Sequence, residues 1–395
     1  MSKEKRSVPK LRFPGFTEDW EQCKLSDILV ERNEQQVETN EYPLMSFVQG
    51  DGVIPKGERY DRSFLVLDQS KKYKRTELGD FIYSSNNLET GSIGINKTGK
   101  AVISPVYSIF YGVSIGDSQF IGIMSLLPRF IAKMVRFRQG VVYGQWRIHE
   151  KDFLDISILI PSVDERTKIT KLILSLEELV TLHQRKLKHL NLKKKALLQK
   201  LFPKNGERYP ELRFPGFTDA WEQRKLSDIT EIVMGQSPSS KNYTDNPNDN
   251  ILVQGNADLK DGKVVPRLWT KEITKTIDKD GIILTVRAPV GDVAKTNYKV
   301  VLGRGVAGIK GNDYIYQFLQ KLQNSRYWVS LSSGSTFESI NSNDIKDLII
   351  DIPSIEEQTK ISMLLNNVNS IITLHQRKLE HLQLQKKVLL QQMFV

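Results

Sequence analysis

Two stretches of this chain carry apolar residues at alternating spacings of three and four, a pattern typical of a helix that packs one stripe against a partner helix. The first stripe consists of Ile169, Ile173, Leu176, Val180, Leu187, Leu190, Leu197 and Leu201, and the second of Ile361, Leu365, Val368, Ile372, Leu379, Leu382, Leu389 and Met393. Each stretch begins with Pro-Ser followed by acidic residues, which suit the positive start of a helix dipole. We therefore predict two long helices with coiled-coil seams.

Polar residues interrupt the two stripes at the same places, His183 and Lys194 in the first and His375 and Lys386 in the second. A polar residue in a seam fixes register and pairing. A metal site is not indicated, because no cysteine or carboxylate accompanies these histidines at ligand spacing. We predict no metal site, and a seam formed by Ile173, Leu176, Val180, His183, Leu187, Leu190, Leu365, Val368, Ile372, His375, Leu379 and Leu382.

The chain contains one module twice, and the middle segments of the two copies differ in sequence. Residues 10–28 match residues 211–229 at 15 of 19 positions, and residues 161–202 match residues 353–394 at 23 of 42. The heptapeptide TLHQRKL recurs unchanged at Thr181 and Thr373, whereas the segments between the matching blocks do not align. A merely duplicated scaffold would diverge evenly along its length. Retained edges with an altered interior favour two different readers on a common frame.

The rewritten segments combine short β-prone runs, such as residues 79–83, 281–286 and 298–302, with helical stretches near 119–138 and 313–330. This mixture predicts the α+β class. We divide the chain into recognition domains at 1–160 and 205–352, and helices within 161–204 and 353–395. A whole domain separates the helices, so they can pair antiparallel, which would produce an approximate two-fold axis. A helix of about 38 residues spans roughly 57 Å.

The net charge of +11 is concentrated in the two helical segments. Residues 161–204 contain 11 basic and 4 acidic side chains, and residues 353–395 contain 5 and 3. This excess fits either a solvated helix face or a surface near nucleic acid or an acidic partner. The single cysteine, Cys23, excludes an internal disulfide, and the charged N-terminus lacks an apolar signal segment. We therefore expect a cytoplasmic protein without a membrane span.

Polar, basic and aromatic residues cluster in loops of the two variable segments, and these residue types read base edges or hold phosphates. The candidates in the first segment are Arg59, Arg62, Lys72, Tyr73, Lys74, Arg75, Asn86, Asn87, Gln145, Trp146 and Arg147. Those in the second are Ser237, Ser239, Lys241, Gln254, Asn256, Arg267, Arg287, Arg304, Ser333, Ser335 and Thr336. An ordinary solvated loop is the alternative for each of them.

Two glycine-rich stretches resemble nucleotide-binding motifs without completing them. Residues 94–101 nearly spell a phosphate-binding loop, but Ala101 replaces its magnesium-binding hydroxyl residue and a β-prone run follows. Residues 303–308 match a dinucleotide fingerprint, but Gly311 and Asn312 interrupt the required helix. The chain also lacks an Asp/Asn-Pro-Pro-aromatic methyltransferase motif, and no nuclease-like Pro-Asp with a downstream acidic-x-Lys stands out. We therefore predict a noncatalytic protein.

The chain resembles the specificity subunit of type I restriction-modification systems. The resemblance is carried by the openers LRFPGFTEDWEQCKLSDI and LRFPGFTDAWEQRKLSDI, and by ILIPSVDERTKI and IDIPSIEEQTKI leading into the long helices. It covers nearly the whole chain. Arg166 departs from the Glu-Glu-Gln pattern that residues 356–358 keep.

The resemblance implies two target recognition domains joined by an antiparallel coiled coil, each reading half of a bipartite double-stranded DNA site. It also implies two methyltransferase subunits that methylate adenine, and motor-nuclease subunits that cut unmodified DNA. S-adenosylmethionine, ATP and Mg²⁺ are then expected on those partners, with no cofactor in this chain. The alternatives are a coiled-coil scaffold and a stand-alone DNA-binding regulator.

Overall fold

The computed structural model describes residues 8–48, 52–55, 70–84, 88, 92–114, 116–142, 145–204, 206–332 and 339–395, without the side chains of residues 140–142, 145 and 146. The chain forms two compact units. The first unit comprises residues 1–183 and 378–395, and the second comprises residues 184–377. Both boundaries fall inside long helices, so each helix contributes one half to each unit.

The first unit contains strands β1 (Glu21–Lys24), β2 (Leu29–Glu31), β3 (Gln35–Gln36), β4 (Met45–Val48), β5 (Gly52–Pro55), β6 (Tyr73–Thr76), β7 (Phe81–Tyr83), β8 (Ile93–Ile95), β9 (Ala101–Ile103), β10 (Ser108–Gly112), β11 (Gln139–Val142), β12 (Gln145–Arg147) and β13 (Ser157–Ile160). Its helices are α1 (Asp117–Met124), α2 (Pro128–Val135), α3 (Glu150–Leu154) and the first half of α4 (Val163–Lys200).

The second unit contains strands β14 (Glu222–Lys225), β15 (Ile232–Met234), β16 (Tyr243–Thr244), β17 (Asn250–Val253), β18 (Leu259–Lys260), β19 (Lys263–Val264), β20 (Trp269–Thr270), β21 (Thr276–Ile277), β22 (Ile282–Thr285), β23 (Val293–Lys295), β24 (Val300–Leu302), β25 (Val306–Ile309) and β26 (Ile349–Ile352). Its helices are α5 (Leu226–Ile229), α6 (Asp313–Asn324), α7 (Tyr327–Ser332), α8 (Ser342–Lys346) and the first half of α9 (Ile355–Gln392), which packs with the second half of α4.

The two variable segments share a strand order although their sequences do not align. The first unit has a sheet in the order β2-β10-β7-β8, and the second has β15-β25-β22-β23 at the corresponding positions, extended by β19 and β18. In both units, the opening strand pairs antiparallel with the strand that precedes the long helix, as β1 with β13 and β14 with β26. The α+β prediction is confirmed, and the rewritten middles are variants of one topology.

The predicted helical stretches are each divided in two. Residues 119–138 fall into α1 and α2, because Pro128 lacks a backbone N–H and its preceding residue Leu127 is extended. Residues 313–330 fall into α6 and α7, where Arg326 has a φ of 55°. The local backbone therefore ends these helices earlier than their apolar periodicity indicates.

Both cores are aromatic and each includes the end of a long helix. In the first unit, Phe394 lies just beyond α9 and its ring centroid is 6.2 Å from that of Trp20 in the opening block. In the second, Phe202 lies just beyond α4 and is 6.4 Å from Trp221. All four side chains are buried. The end of one helix therefore packs against the opening block that precedes the other helix.

The antiparallel pairing of α4 with α9 is confirmed within each unit. In the first, Ile169 and Ile173 near the start of α4 share a core with Met393 at the end of α9. In the second, Ile361 and Leu365 share a core with Leu198 and Leu201 near the end of α4. The predicted seam positions are all buried or half-buried, whereas the helix residues between them are mostly exposed.

An arginine–glutamate fork fastens each opening block to the start of a long helix. Arg12 Nε and Nη2 donate to Glu165 Oε1 and Oε2 at 2.8 and 2.6 Å. Arg213 Nε and Nη2 donate to Glu357 Oε1 and Oε2 at 2.8 and 2.9 Å. Both glutamates are buried, and the bidentate arginine supplies the opposite charge and the hydrogen bonds that a buried carboxylate requires.

The seam lysines have different surroundings in the two units. Lys386 Nζ donates to Glu177 Oε1 at 2.6 Å, and Lys97 of the first recognition domain donates to Glu177 Oε2 at 2.8 Å. Burial would raise the pKa of the Glu177 carboxyl, but the two ammonium groups outweigh burial and hold it below its ordinary value. The seam lysine of the first unit is therefore fully paired.

Lys194 of the second unit faces a cavity of about 690 Å³ that Asn369 also lines. Asn369 is the repeat counterpart of Glu177, and among the described residues no carboxylate lies within 4.0 Å of the Lys194 ammonium group. Burial lowers the pKa of Lys194 to about 8. The partly buried charge of Lys194 therefore lowers the stability of the second unit, because it has no counter-ion.

We expect Asn369→Glu to stabilise the second unit by about 1 kcal/mol at pH 7, because it supplies the missing carboxylate. In the native protein, folding lowers the Lys194 pKa below its unfolded value, so stability rises as pH increases from about 8 towards 10. The gain from Asn369→Glu should therefore shrink at pH 9.5. Urea unfolding at both pH values measures it, and Asn367→Glu, at an exposed position of the same helix, serves as the control. If the stability gain from Asn369→Glu at pH 7 were equal to or smaller than the gain at pH 9.5, Lys194 would not be the charge that lacks a carboxylate partner.

Candidate nucleic-acid interface

Four loops of the second unit converge at one edge of its sheets. β17 and β24 are parallel and end together, with Val253 opposite Leu302. β22 ends where β25 begins, with Thr285 opposite Val306. β15 also ends beside the start of β25, with Met234 opposite Ala307. The loops that follow β15, β17, β22 and β24 therefore meet, and loops on a rigid sheet edge are a common place for binding residues.

Glycines allow these loops to touch. A Cβ on Gly305 would lie 2.1 Å from the carbonyl oxygen of Gln254, and a Cβ on Gly235 would lie 2.0 Å from that of Gly303. Neither position has room for a side chain. The glycines of residues 303–308 therefore serve close packing between loops, which explains the apparent dinucleotide fingerprint without a ligand.

Several predicted contact residues are brought together at this edge, which we name the second-unit edge. Ser237 Oγ accepts a hydrogen bond from the Arg304 backbone N–H at 3.0 Å. Gln254 Nε2 donates to the Tyr243 hydroxyl at 2.7 Å, and Arg267 Nη1 donates to the Ala257 carbonyl at 2.9 Å. These bonds hold donors and acceptors in place on neighbouring loops.

The second-unit edge is positively charged. Lys241, Arg267, Arg287 and Arg304 are exposed. Within the part of the chain that the structure describes, none of them has an acidic partner within 4.0 Å. Asn256 is also exposed and donates to Asp292. Uncompensated arginines beside amide and hydroxyl groups are the chemistry that contacts phosphates and base edges.

The other predicted residues of the second domain lie close by or outside the described residues. Ser239 is exposed, and its backbone N–H donates to Glu272 Oε2 at 2.8 Å. Ser333, Ser335 and Thr336 fall outside the described residues. Tyr243 was missed by sequence reasoning, although an aromatic residue within the polar run SSKNYTDN was a usable signal.

The corresponding edge of the first unit is formed by the end of β7, the end of β9 and the starts of β6 and β10. Lys72 is exposed there, but Tyr73 and Lys74 are buried, and the Lys74 ammonium lies 3.9 Å from Glu150 Oε1. Arg75 donates to Glu34 and Glu77 and lies 4.6 Å over the Tyr42 ring. These three residues have structural partners, and their contact with DNA stays a prediction.

Arg147 is exposed at the same edge, 3.8 Å from Glu150. Arg59, Arg62, Asn86 and Asn87 lie outside the described residues, and the side chains of Gln145 and Trp146 are likewise not described, although both belong to β12. The stretch 94–101 lies between β8 and β9 without a following helix, which excludes the phosphate-loop geometry.

The described residues hold neither a cluster suited to a metal ion nor a membrane-spanning helix. Among the described residues, no three His, Cys, Asp or Glu side chains approach closely enough to hold a metal ion. No helix in the described ranges combines the length and apolar character needed to cross a bilayer.

The chain is similar to known specificity subunits of restriction-modification systems. Residues 218–384 match the family model described as type I restriction modification DNA specificity domain. A putative type I restriction enzyme MjaX specificity subunit from Methanocaldococcus jannaschii is 26% identical over 96% of this chain and 93% of its own length. Over nearly its whole length the chain is therefore similar to type I restriction-modification specificity subunits. The MjaVIII specificity subunit of the same organism is 20% identical over 95% of this chain and 92% of its own length.

Two solved structures share the fold of this chain. The type I S subunit from M. genitalium matches with a TM-score of 0.68 and 13% identity, covering 98% of this chain and 99% of that one. A chain from a study of complex assembly and conformational transition of the type I R-M system matches with a TM-score of 0.53 and 20% identity, at the same coverage.

We expect Arg304→Gln to weaken recognition of one half-site by about 1–3 kcal/mol if its guanidinium contacts a base, or uniformly across sequences if it contacts a phosphate. The substitution keeps the backbone N–H that bonds Ser237, so the loop should stay folded. Binding to a panel of DNA duplexes by the assembled complex measures both outcomes. Lys279→Gln is the control, because Lys279 precedes β22 at the opposite end from this edge. An unchanged affinity would remove Arg304 from the interface.

Proposed function

We propose that this chain is the DNA sequence-recognition subunit of a type I restriction-modification complex. Each unit reads one half of a bipartite site, and the antiparallel helix pair fixes the gap between the halves. The observation that carries the proposal is the construction of both units: one strand order and one opening-block attachment support loops whose sequences do not align. A common frame with different reading edges is what recognition of two different half-sites requires.

Catalysis is assigned to partner subunits. The glycine-rich stretches serve as turns and packing contacts, and Cys23 is no nucleophile at neutral pH, since burial raises the pKa of its thiol to about 11. S-adenosylmethionine would bind the methyltransferase subunits, and ATP and Mg²⁺ the motor-nuclease subunits. We place the complex in the cytoplasm, where its DNA lies and where an unpaired thiol is stable.

Exposed apolar side chains support a partner that binds twice. Five residues of the first repeat copy are large, apolar and exposed, and each has an exposed apolar counterpart in the second copy. The pairs are Leu11 and Leu212, Val163 and Ile355, Leu179 and Ile371, Leu182 and Leu374, and Leu192 and Leu384. Exposed leucines contribute little to the fold, so their retention in both copies suits two methyltransferase subunits on equivalent surfaces.

The alternatives predict different behaviour. A coiled-coil scaffold would use its loops for proteins, which the uncompensated arginines of the second-unit edge disfavour. A stand-alone regulator would bind its site tightly without methyltransferase subunits, and its helix surface would not need matched apolar residues. Electrophoretic retention of specific DNA with and without the methyltransferase distinguishes the three.

We expect that exchanging residues 29–147 for the variable segment of another family member changes one half of the methylated motif and leaves the other half and the gap unchanged. The opening block, the helix pair and the second unit all remain intact in this chimera. Methylated adenines mapped across a genome by single-molecule sequencing identify the motif. An unaltered motif, or a motif altered in both halves, would contradict the assignment of one domain to one half-site.

A second prediction concerns the partner. Leu179→Ser with Leu182→Ser should reduce the bound methyltransferase from two copies to one, and adding Ile371→Ser with Leu374→Ser should remove both. All four side chains are at least 43% exposed, so stability should change little. Mass determination of the complexes reads the stoichiometry, with Leu78→Ser, 66% exposed on the first recognition domain, as the control. Two bound copies in the fourfold variant would contradict this surface.

A further inference from the structure

The second half of α4 carries a run of cations that the fold does not use. Between residues 185 and 195 lie Arg185, Lys186, Lys188, Lys193, Lys194 and Lys195, and no acidic residue occurs from position 179 to position 206. Five of the six are exposed, while Lys194 lies in the seam. This segment belongs to the second unit.

These charges lack counter-ions within the described residues. Farther along the chain, Lys200 and Lys204 lie 2.5 and 4.0 Å from Glu211, but none of the six cations has a carboxylate within 4.0 Å. Cations one turn apart on a helix, such as Arg185 and Lys188, repel each other by a few tenths of a kcal/mol. Folding of the chain therefore gains nothing from this run, which points to a ligand outside it.

The four exposed lysines form two rows. Lys186 and Lys193 are seven residues apart, as are Lys188 and Lys195, which places each pair about 10.5 Å apart along one side of the helix. The seam residues Leu187 and Leu190 are half-buried between the rows. The helix thus presents regularly spaced ammonium groups on both sides of its seam. We name these four residues the lysine rows.

The second repeat copy keeps only half of this pattern. Lys378 and Lys387 occupy the positions of Lys186 and Lys195, but Glu380 occupies that of Lys188 and Gln385 that of Lys193. A protein bound in two equivalent copies would therefore meet a cation at Lys188 and an anion at Glu380. The lysine rows as a whole are therefore unsuited to a partner that binds twice. The exposed apolar pairs do suit such a partner, and Leu192, on the same helix segment, belongs to one of those pairs. They fit a ligand that meets the chain once.

We infer that the lysine rows bind the phosphate backbone of DNA without reading bases. This inference rests on the proposed function, in which the bases of the gap are not read. Protein facing such a segment needs contacts that ignore sequence, and lysine supplies them, because its ammonium is a point charge on a flexible stem. A polyphosphate also accommodates several cations at once, which a typical acidic protein surface does not. The excess positive charge of residues 161–204 thus has a ligand.

The test compares two variants of equal charge in the full complex with its methyltransferase subunits. The first is Lys186→Gln, Lys188→Gln, Lys193→Gln and Lys195→Gln. The control is Lys10→Gln, Lys171→Gln, Lys279→Gln and Lys346→Gln, whose lysines are exposed and unpaired among the described residues. DNA affinity is measured from low to moderate salt on a duplex with the native motif.

We expect the slope of log affinity against log salt to fall by roughly 0.9 for each lost phosphate contact, hence by roughly 2 where one row meets the duplex or roughly 4 where both do, and by much less in the control. The methylated motif should not change. Replacing the same four lysines by arginine should restore the slope, because it restores the charge. An equal slope for both glutamine variants would overturn the inference.

Loss of methyltransferase assembly in the first variant would also overturn it, because the lysine rows would then bind protein. Failure of the proposed function has a different signature: the native complex would methylate no defined motif. A native complex that methylates its motif, together with an unchanged slope in the variant, would reject the lysine rows alone.

Discussion

The attachment of each opening block to a helix start is the constraint on which the rest of the structure depends. A buried glutamate, Glu165 or Glu357, accepts a bidentate pair of hydrogen bonds from Arg12 or Arg213 of the opening block. Removing one partner of such a pair costs about 3–5 kcal/mol, because the remaining charge stays buried. Beside the fork, a tryptophan packs on the phenylalanine at the end of the opposite helix. The fork and the aromatic pair together fix where the recognition domain meets its helices.

This attachment separates the frame from the reading surface. The polar residues of the frame bond to one another, as the bidentate hydrogen bonds of Arg12 to Glu165 show. At the second-unit edge the reverse holds, since Arg287 and Arg304 are exposed and have no carboxylate partner among the described residues. Replacing these exposed arginines costs little stability because their side chains lie outside the core. A domain built in this way can change its target while it keeps its fold.

Comparison of the two repeat copies assigns surfaces to ligands. Residues exposed and apolar in both copies, such as Leu182 and Leu374, suit a partner present twice. Residues that are positively charged in only one copy, such as Lys188, whose repeat counterpart is Glu380, suit a ligand met once. Even the seam differs, because Lys386 has Glu177 while Lys194 has only Asn369. The internal repeat thus acts as its own control for what each surface contacts.

The sequence by itself determined the features that depend on local periodicity. The seam from Ile173 to Leu190 and its copy could be predicted because each helix position follows from spacing along the chain, and the openers because they recur nearly unchanged. Only the tertiary structure decided which loop residues share an edge. The parallel pairing of Val253 with Leu302 joins strands almost fifty residues apart, and it brings Gln254 beside Arg304. The same long-range packing buried Tyr73 and Lys74, whose residue types suit a surface. Contacts between distant segments depend on how whole sheets assemble, and no local pattern encodes that.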